Sequence, residues 1–305
     1  MTTGLEAAYF LAALAVTLVA AAIFADRLDL VGEHLGLPEG VVGLLTAVAA
    51  DAPELSTAIV ALATGAKSVG FGVVVGSNVF NLGAMLGLGA LAAGSVTIQR
   101  DALALEGGVA LGVAFLVVLL GFAVLPAWAA VAAAVVLLVP YLVLLWHTGQ
   151  RYRRAQVRAR DLLVFPPAVA VIVLGSVAMV HAARHIGHAA GIPDVLTGTL
   201  LLAVVTSLPN AYTGIRLARA HRGSAAVSET FNSNTINVVG GLAVPALFAT
   251  VAGGTRLEHA DGIWFLAATG VAVLLLAPGG GLRRAGGAIL LASWVAFAVV
   301  QAIAS

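Results

Sequence analysis

The stretch from Ala50 to Gly83 reads ADAPELSTAIVALATGAKSVGFGVVVGSNVFNLG. Asp51, Glu54, Ser77, Asn78 and Asn81 stand in it among almost wholly apolar neighbours. A second stretch, Thr206 to Val239, reads TSLPNAYTGIRLARAHRGSAAVSETFNSNTINVV and repeats the first at a constant offset of 156. Pro53 falls on Pro209, Thr57 on Thr213, Ser68 on Ser224, Ser77 on Ser233, Asn78 on Asn234 and Asn81 on Asn237. An offset of about half of 305 residues marks a duplicated unit, and the two copies share their polar residues. Upstream, HLGLPEGVVG (34–43) matches AAGIPDVLTG (189–198), one residue out of step with the rest.

The surroundings decide the class. The chain is 61% hydrophobic and 10% charged, with mean hydropathy +1.07. Apolar runs of about 20 residues in such a chain read as membrane-spanning helices, which makes this an integral membrane protein with the lipid bilayer as a partner. It has no cysteine, so thiolate–metal and disulfide chemistry are excluded. The net charge of +1 gives no sign of nucleic-acid binding. The first residues, MTTGLEAAYF, carry Glu6 and no basic cluster, so the first apolar run reads as a true span rather than a cleaved leader.

Apolar runs bounded by charge, Gly or Pro give ten spans, at roughly 5–25, 40–65, 69–94, 104–122, 126–147, 162–183, 195–218, 224–252, 261–278 and 284–303. The expected fold is all-α, with ten transmembrane helices in two inverted five-helix repeats. Residues 1–147 form the first repeat, with its motif at 50–83, and 162–305 form the second, with its motif at 206–239. Residues 148–161, rich in arginine, form the linker between them. With both termini outside, Arg27, Arg100, Arg151, Arg153, Arg154, Arg158, Arg160, Arg216, Arg219, Arg222, Arg283 and Arg284 lie on the cytoplasmic side. Only Lys67, Arg184 and Arg256 lie outside, so 12 of the 15 basic residues share one face. Five spans per copy turn the second copy upside down. Secondary transporters use this arrangement, with the substrate site near the midplane where the copies meet. A plasma (inner) membrane location is expected.

A carboxylate in the middle of a span costs on the order of 3 kcal/mol and is a functional candidate by default. Glu54 is such a residue. Pro53 beside it has no N–H and frees the carbonyl at Ala49, and Pro209 does the same at Val205; both are read as helix-breaking. Freed carbonyls within a membrane suit a bound cation. Ser77 and Asn81, and again Ser233 and Asn237, stand four apart on one helical face. Hard cations prefer oxygen-only shells, and Asp51, Glu54, Ser77, Asn81, Asn210, Ser233 and Asn237 supply one. Asn78 and Asn234 flank that face and read as structural.

The pattern APEL (52–55) with GSNVFN (76–81), and TSLP (206–209) with SNTIN (233–237), resembles the α-repeats of the cation/calcium exchanger superfamily. The resemblance implies that Glu54 is an acidic ligand shared by Ca²⁺ and Na⁺. It adds the carbonyls near Ala50 and Thr206 to the shell, and it implies long first and sixth helices sliding over a core of helices 2, 3, 7 and 8. The chain departs from the family at several positions. Neutral Asn210 stands where the family usually carries a second acid, Asp51 stands where it has Ser or Thr, and Glu229 where Asn or Ser is frequent. Asp51 and Glu54 together restore a charge of −2, but from one copy.

The reading is a secondary cation antiporter exchanging Ca²⁺, or a similar cation, for Na⁺ or H⁺, with no cofactor and no enzymatic activity. Asp51, Glu54 and Glu229 are the candidate proton carriers. Two alternatives stay open: a Na⁺/H⁺-type exchanger without Ca²⁺ transport, and a scaffold turned into a membrane enzyme or a binding protein. His181, His185 and His188 form a stripe near the outer end of the sixth span, read as solvated rather than as a metal site. Trp128, Trp146, Trp264 and Trp294 read as interfacial anchors.

Overall fold

A computed structural model describes residues 3–37, 44, 47–148, 162–249, 251, 255–278 and 281–304. The basic linker 148–161, apart from the last helical residue at 148, lies outside the described residues, as does the start of the expected second span. Among the described residues the chain forms ten helices. They are α1 (Thr3–His34), α2 (Ala52–Ala63), α3 (Lys67–Ala93), α4 (Arg100–Gly121) and α5 (Ala127–Thr148), then α6 (Phe165–Ala189), α7 (Asp194–Arg219), α8 (Gly223–Val238), α9 (Arg256–Leu276) and α10 (Arg284–Ala304). Beyond Val238, α8 continues as π-helical Val239–Ala243 and a 3₁₀ turn at Pro245–Leu247. Seven of them, α1, α3, α4, α6, α7, α9 and α10, are long and apolar enough to cross a membrane. The described part of α2 and the apolar part of α5 are shorter. The fold is not purely α: Ser95–Val96 (β1) pairs antiparallel with Leu282–Arg283 (β2).

Burial ranks the helices. The most apolar stretch of α3 is entirely buried, whereas that of α1 is 28% buried and that of α10 22%. So α3 is the central post and α1 and α10 are peripheral. α1 packs along α6, and the pair rests against α2 chiefly through α6. Phe24 meets Phe165 edge-on at 5.3 Å where α1 and α6 cross. Trp264 and Trp294 are not end anchors as expected. Trp294 sits at mid-helix and packs edge-on against Phe80 at 5.3 Å, while Trp264 donates to Ser293 Oγ at 3.3 Å.

Two connections expected on one side meet there. The β1–β2 pair ties the α3–α4 connection to the α9–α10 connection. Gly281 makes this possible: its φ is +65°, and a Cβ on it would stand 2.3 Å from the Val96 carbonyl. At the far ends, His259 of α9 lies 3.0 Å from the Gly121 carbonyl at the end of α4 and stacks on Phe122 at 4.0 Å. The α3–α4 and α9–α10 connections thus lie together at one end of α4 and α9, and the end of α4 meets the start of α9 at the other.

Four helices contain π-helical turns: Asn81–Leu88 in α3, Leu103–Gly107 in α4, Thr197–Leu202 in α7 and Val239–Ala243 after α8. Such turns concentrate at functional sites, and here those in α3 and after α8 stand where the shared polar residues end. The α3 and α7 backbones cross almost in contact, since a Cβ on Gly76 would stand 2.4 Å from the Thr199 carbonyl. Gly76→Leu is expected to destabilise the protein by about 1–3 kcal/mol through overpacking. Gly108→Ala, where a Cβ meets nothing within 4 Å, is expected to be neutral or stabilising by up to ~1 kcal/mol. Thermal unfolding in detergent checks both.

Candidate cation-binding site

Helix α2 is broken where its sequence carries the acids. Residues 47–50 are helical. Asp51 is a single turn residue with near-helical φ −79° and ψ −4°, and its N–H still reaches the Ala47 carbonyl at 2.9 Å. The helix resumes at Ala52 with Pro53 in its first turn. The missing proline N–H costs one rung of the ladder, and Asp51 takes the N-cap position. A carboxylate there and Glu54 one turn on both face the positive end of the helix dipole. The second copy differs from expectation: α7 runs unbroken through Pro209. Only one rung is lost there, and Thr213 Oγ1 donates to the Pro209 carbonyl at 3.0 Å. Thr57 does the same for Pro53 at 2.6 Å.

Both carboxylates are 1% exposed, and their hydrogen-bond partners are neutral side chains from α7 and α8. Asp51 Oδ1 accepts from Asn210 Nδ2 at 2.6 Å and from Ser233 Oγ at 2.7 Å. Glu54 Oε1 accepts from Ser207 Oγ and, at 3.4 Å, from Asn210 Nδ2. Glu54 Oε2 accepts from Asn237 Nδ2 at 2.6 Å. Helix α3 closes the cluster, with Asn81 Nδ2 donating to Ser233 Oγ at 3.2 Å and to Asn234 Oδ1 at 3.1 Å.

Asn78 and Asn234, one offset apart, exchange equivalent bonds. Asn78 Nδ2 donates to the Asn234 carbonyl at 3.3 Å, and Asn234 Nδ2 to the Asn78 carbonyl at 3.1 Å. A reciprocal pair of this kind is what a local two-fold axis produces. Asn81 to Asn234 Oδ1 and Asn237 to Asn78 Oδ1, the latter at 3.3 Å, are a second such pair. The structural role expected of Asn78 and Asn234 is the one they have in the packing.

The structure therefore joins Asp51, Glu54, Asn81, Asn210, Ser233 and Asn237 in one hydrogen-bonded cluster. Ser77 and Thr206, also buried, turn their hydroxyls back to their own helices, to Val74 at 3.1 Å and to Leu202 at 2.9 Å. Glu229 lies one turn from Ser233 along α8 and has no hydrogen bond to the cluster. Its Oε2 is buried without a partner, within electrostatic reach of Asp51 and Arg222. Ser207 was missed, although the offset alone assigns it: it is the counterpart of Asp51. Two further acids went unread. Glu106 of α4 lies near Ser228 of α8, with its Oε2 buried and unpartnered. Asp261 was placed at a span edge, but the Thr255–Glu258 capping box starts α9 at Arg256 and leaves Asp261 fully buried, accepting from Gln301.

The cluster is rich in oxygen and short of protons. Asp51 Oδ2, Asn81 Oδ1 and Asn237 Oδ1 are buried with no hydrogen-bond partner. Each orphaned acceptor costs about 1–3 kcal/mol, and a hard cation answers several at once. The histidine stripe has no such character. His181, His185 and His188 line a cavity of about 310 Å³ with Arg184, and Asp194 takes Arg184 at 3.2 Å and His188 at 3.0 Å. Among the described residues no three His, Cys, Asp or Glu side chains are grouped to hold a metal.

Comparison with known proteins follows the same lines. The family profile described as sodium/calcium exchanger protein matches residues 5–149 and 161–303. Sodium/potassium/calcium exchanger 1 of Homo sapiens is 32% identical over 119 residues, covering 39% of this chain and 11% of that protein. Sodium/calcium exchanger MaX1 of Methanosarcina acetivorans is 29% identical over 142 residues, 47% of this chain and 41% of that one. The matched part thus spans less than half the length of these relatives. Among solved structures, the sodium-calcium exchanger NCX_Mj aligns over 100% of this chain and 99% of its own, with TM-score 0.66 and 21% identity. The H⁺/Ca²⁺ exchanger CAX aligns over 98% and 86%, with TM-score 0.78 and 14% identity. At such identities the likeness is one of fold.

Proposed function

Because the chain belongs to the sodium/calcium exchanger protein family, we propose that it is a secondary antiporter working by alternating access. It exchanges Ca²⁺, or a similar cation, for Na⁺ or H⁺ at a midplane site centred on Glu54. One observation carries this reading: two fully buried carboxylates lie in a cluster with three buried oxygens that lack any donor, one of them Asp51 Oδ2 itself. Asp51 and Glu54 supply the charge, and Asn81, Asn237 and Ser233 supply neutral oxygens. Asn210 and Asn237 now turn nitrogen toward the carboxylates; rotating either amide about its last torsion turns oxygen to a cation instead. Ser77 joins the shell when its hydroxyl rotates away from the Val74 carbonyl, and the carbonyls near Ala50 and Thr206 when their helices shift. Ten crossings, both termini outside and a cytoplasmic 148–161 linker complete the proposal, with α1 and α6 as the moving pair.

The site's charge favours a second reading as well. Repeat two contributes no acid, and both carboxylates share one amide donor, Asn210. Two crowded carboxylates suit Na⁺ with one proton retained, so a Na⁺/H⁺ exchanger without Ca²⁺ transport is the alternative. Flux of ⁴⁵Ca²⁺ and ²²Na⁺ into proteoliposomes under imposed Na⁺ and pH gradients separates the two. Gradient-driven Ca²⁺ flux is the expected result. Na⁺ flux alone selects the alternative, and flux of neither ion overturns both.

A further inference from the structure

Helix α8 carries its site residues as a stripe. Asn237 and Ser233 hold Glu54 and Asp51, and Glu229 follows at the same four-residue step, so all three share a face. Arg222 stands at the N-cap. At 1.5 Å per residue Glu229 lies about 6 Å from Ser233 along the axis, and Arg222 about 10 Å beyond it. Exposure rises in that order. Asn237 and Ser233 are 1% exposed, Glu229 is half-buried, and Arg222 is exposed. Glu229 is within electrostatic reach of Asp51 on one side and Arg222 on the other, with Oε2 lacking any partner. Its carboxylate therefore stands between the sealed cluster and the 220–222 connection.

The first copy has no such extension. The offset that pairs Ser77 with Ser233 places Val73 opposite Glu229 and Ala66 opposite Arg222. Val73 is 0% exposed and Ala66 2%. From Ser77, α3 leads to the opposite face past Val73, Val69 and Ala66, none of which offers a polar side-chain atom. Its glycines there close against α7, since a Cβ on Gly72 would stand 2.7 Å from the Val195 carbonyl. Two routes that the duplication makes equal in position are thus unequal in chemistry.

The geometry points to Glu229 as the inner mouth carboxylate of a one-sided cation route, which receives cations that have passed the arginines of the 220–222 face and hands them to Asp51. The inference rests on the antiporter reading of the central site. The connection carries Arg219, His221 and Arg222, so attraction for a cation begins only at this inner carboxylate, where a charge in a low-dielectric passage raises the local concentration of its counter-ion about tenfold. The opposite entrance has Val73 in that place and no such gain. The half-saturating cation concentration then differs between the two faces, and Glu229 sets one of them only.

The chain has no cysteine, so Ala220→Cys gives a single exposed handle on the 220–222 connection. Biotin-maleimide labelling and streptavidin capture separate proteoliposomes with that face outward from those with it inward. Half-saturation is then measured from each face, with ⁴⁵Ca²⁺ or with ²²Na⁺ if that is the ion carried. Glu229→Gln is expected to raise it about tenfold from the 220–222 face and to leave it unchanged from the other. Glu229→Asp is expected to restore most of the difference. An equal change from both faces, or none from either, overturns the inference while leaving the central site standing. Unimpaired flux in Glu54→Gln instead removes the central site, and the mouth with it.

Discussion

Glu54→Gln is expected to cut cation exchange about a hundredfold or more while leaving the protein folded. The side chain changes by one atom, so packing is kept, but the charge is lost from a site 1% exposed. Every partner of Glu54 is a donor: Ser207 Oγ and Asn210 Nδ2 on one oxygen, Asn237 Nδ2 on the other. A glutamine amide places its own NH₂ against one of these, donor facing donor. Removing one member of a buried, hydrogen-bonded charged set costs about 3–5 kcal/mol, and each 1.4 kcal/mol is a factor of ten in binding. Radioactive cation flux at a concentration near half-saturation reads the loss, and gel filtration in detergent verifies the fold. Flux within tenfold of the parent contradicts the assignment of Glu54.

The second large effect is a swap. Asp51 and Asn210 are nearly isosteric and joined by a 2.6 Å bond. Asp51→Asn alone sets two amides against each other and halves the site's charge. Asn210→Asp alone brings a third carboxylate beside two others and removes the donor they share. Each single change is expected to lower exchange at least tenfold, whereas Asp51→Asn with Asn210→Asp keeps both the bond and the charge. The pair is expected to recover most of the activity, with a coupling of about 1–3 kcal/mol in the double-mutant cycle. The exchange also spreads the acids over both copies. The ratio of Ca²⁺ to Na⁺ flux in the double variant therefore reports whether a lopsided site tunes selectivity. Additive losses would show that the two residues act independently.

Much of this was legible in the residues. Composition and charge segregation gave the helices and their alternation, because both are properties of long segments in a single solvent. The 156-residue offset gave the cluster, because residues shared by two copies meet at the axis relating them. What escaped was local. Whether Ser77 and Thr206 turn toward the cluster or back to their own carbonyls depends on a torsion, which spacing does not encode. Pro209 left α7 continuous where Pro53 accompanied a break, although the two sit at equivalent positions. Upstream of the two prolines the copies fall out of step by one residue. Apolarity sets in at Asp261, but a capping box whose Thr255 stands six residues earlier begins α9.

The reciprocal bonds between Asn78 and Asn234 carry a consequence for motion. A contact that maps onto itself when the two copies trade places is the same contact whichever copy plays which part. In the proposed antiporter this pair stays unstretched as α1 and α6 move over the core, and the bond from Asn210 to Asp51 has its own mirror partner in Ser207 to Glu54. The two asparagines thus mark a fixed seam, a point at which the two halves keep hold of one another while the proposed moving pair slides past.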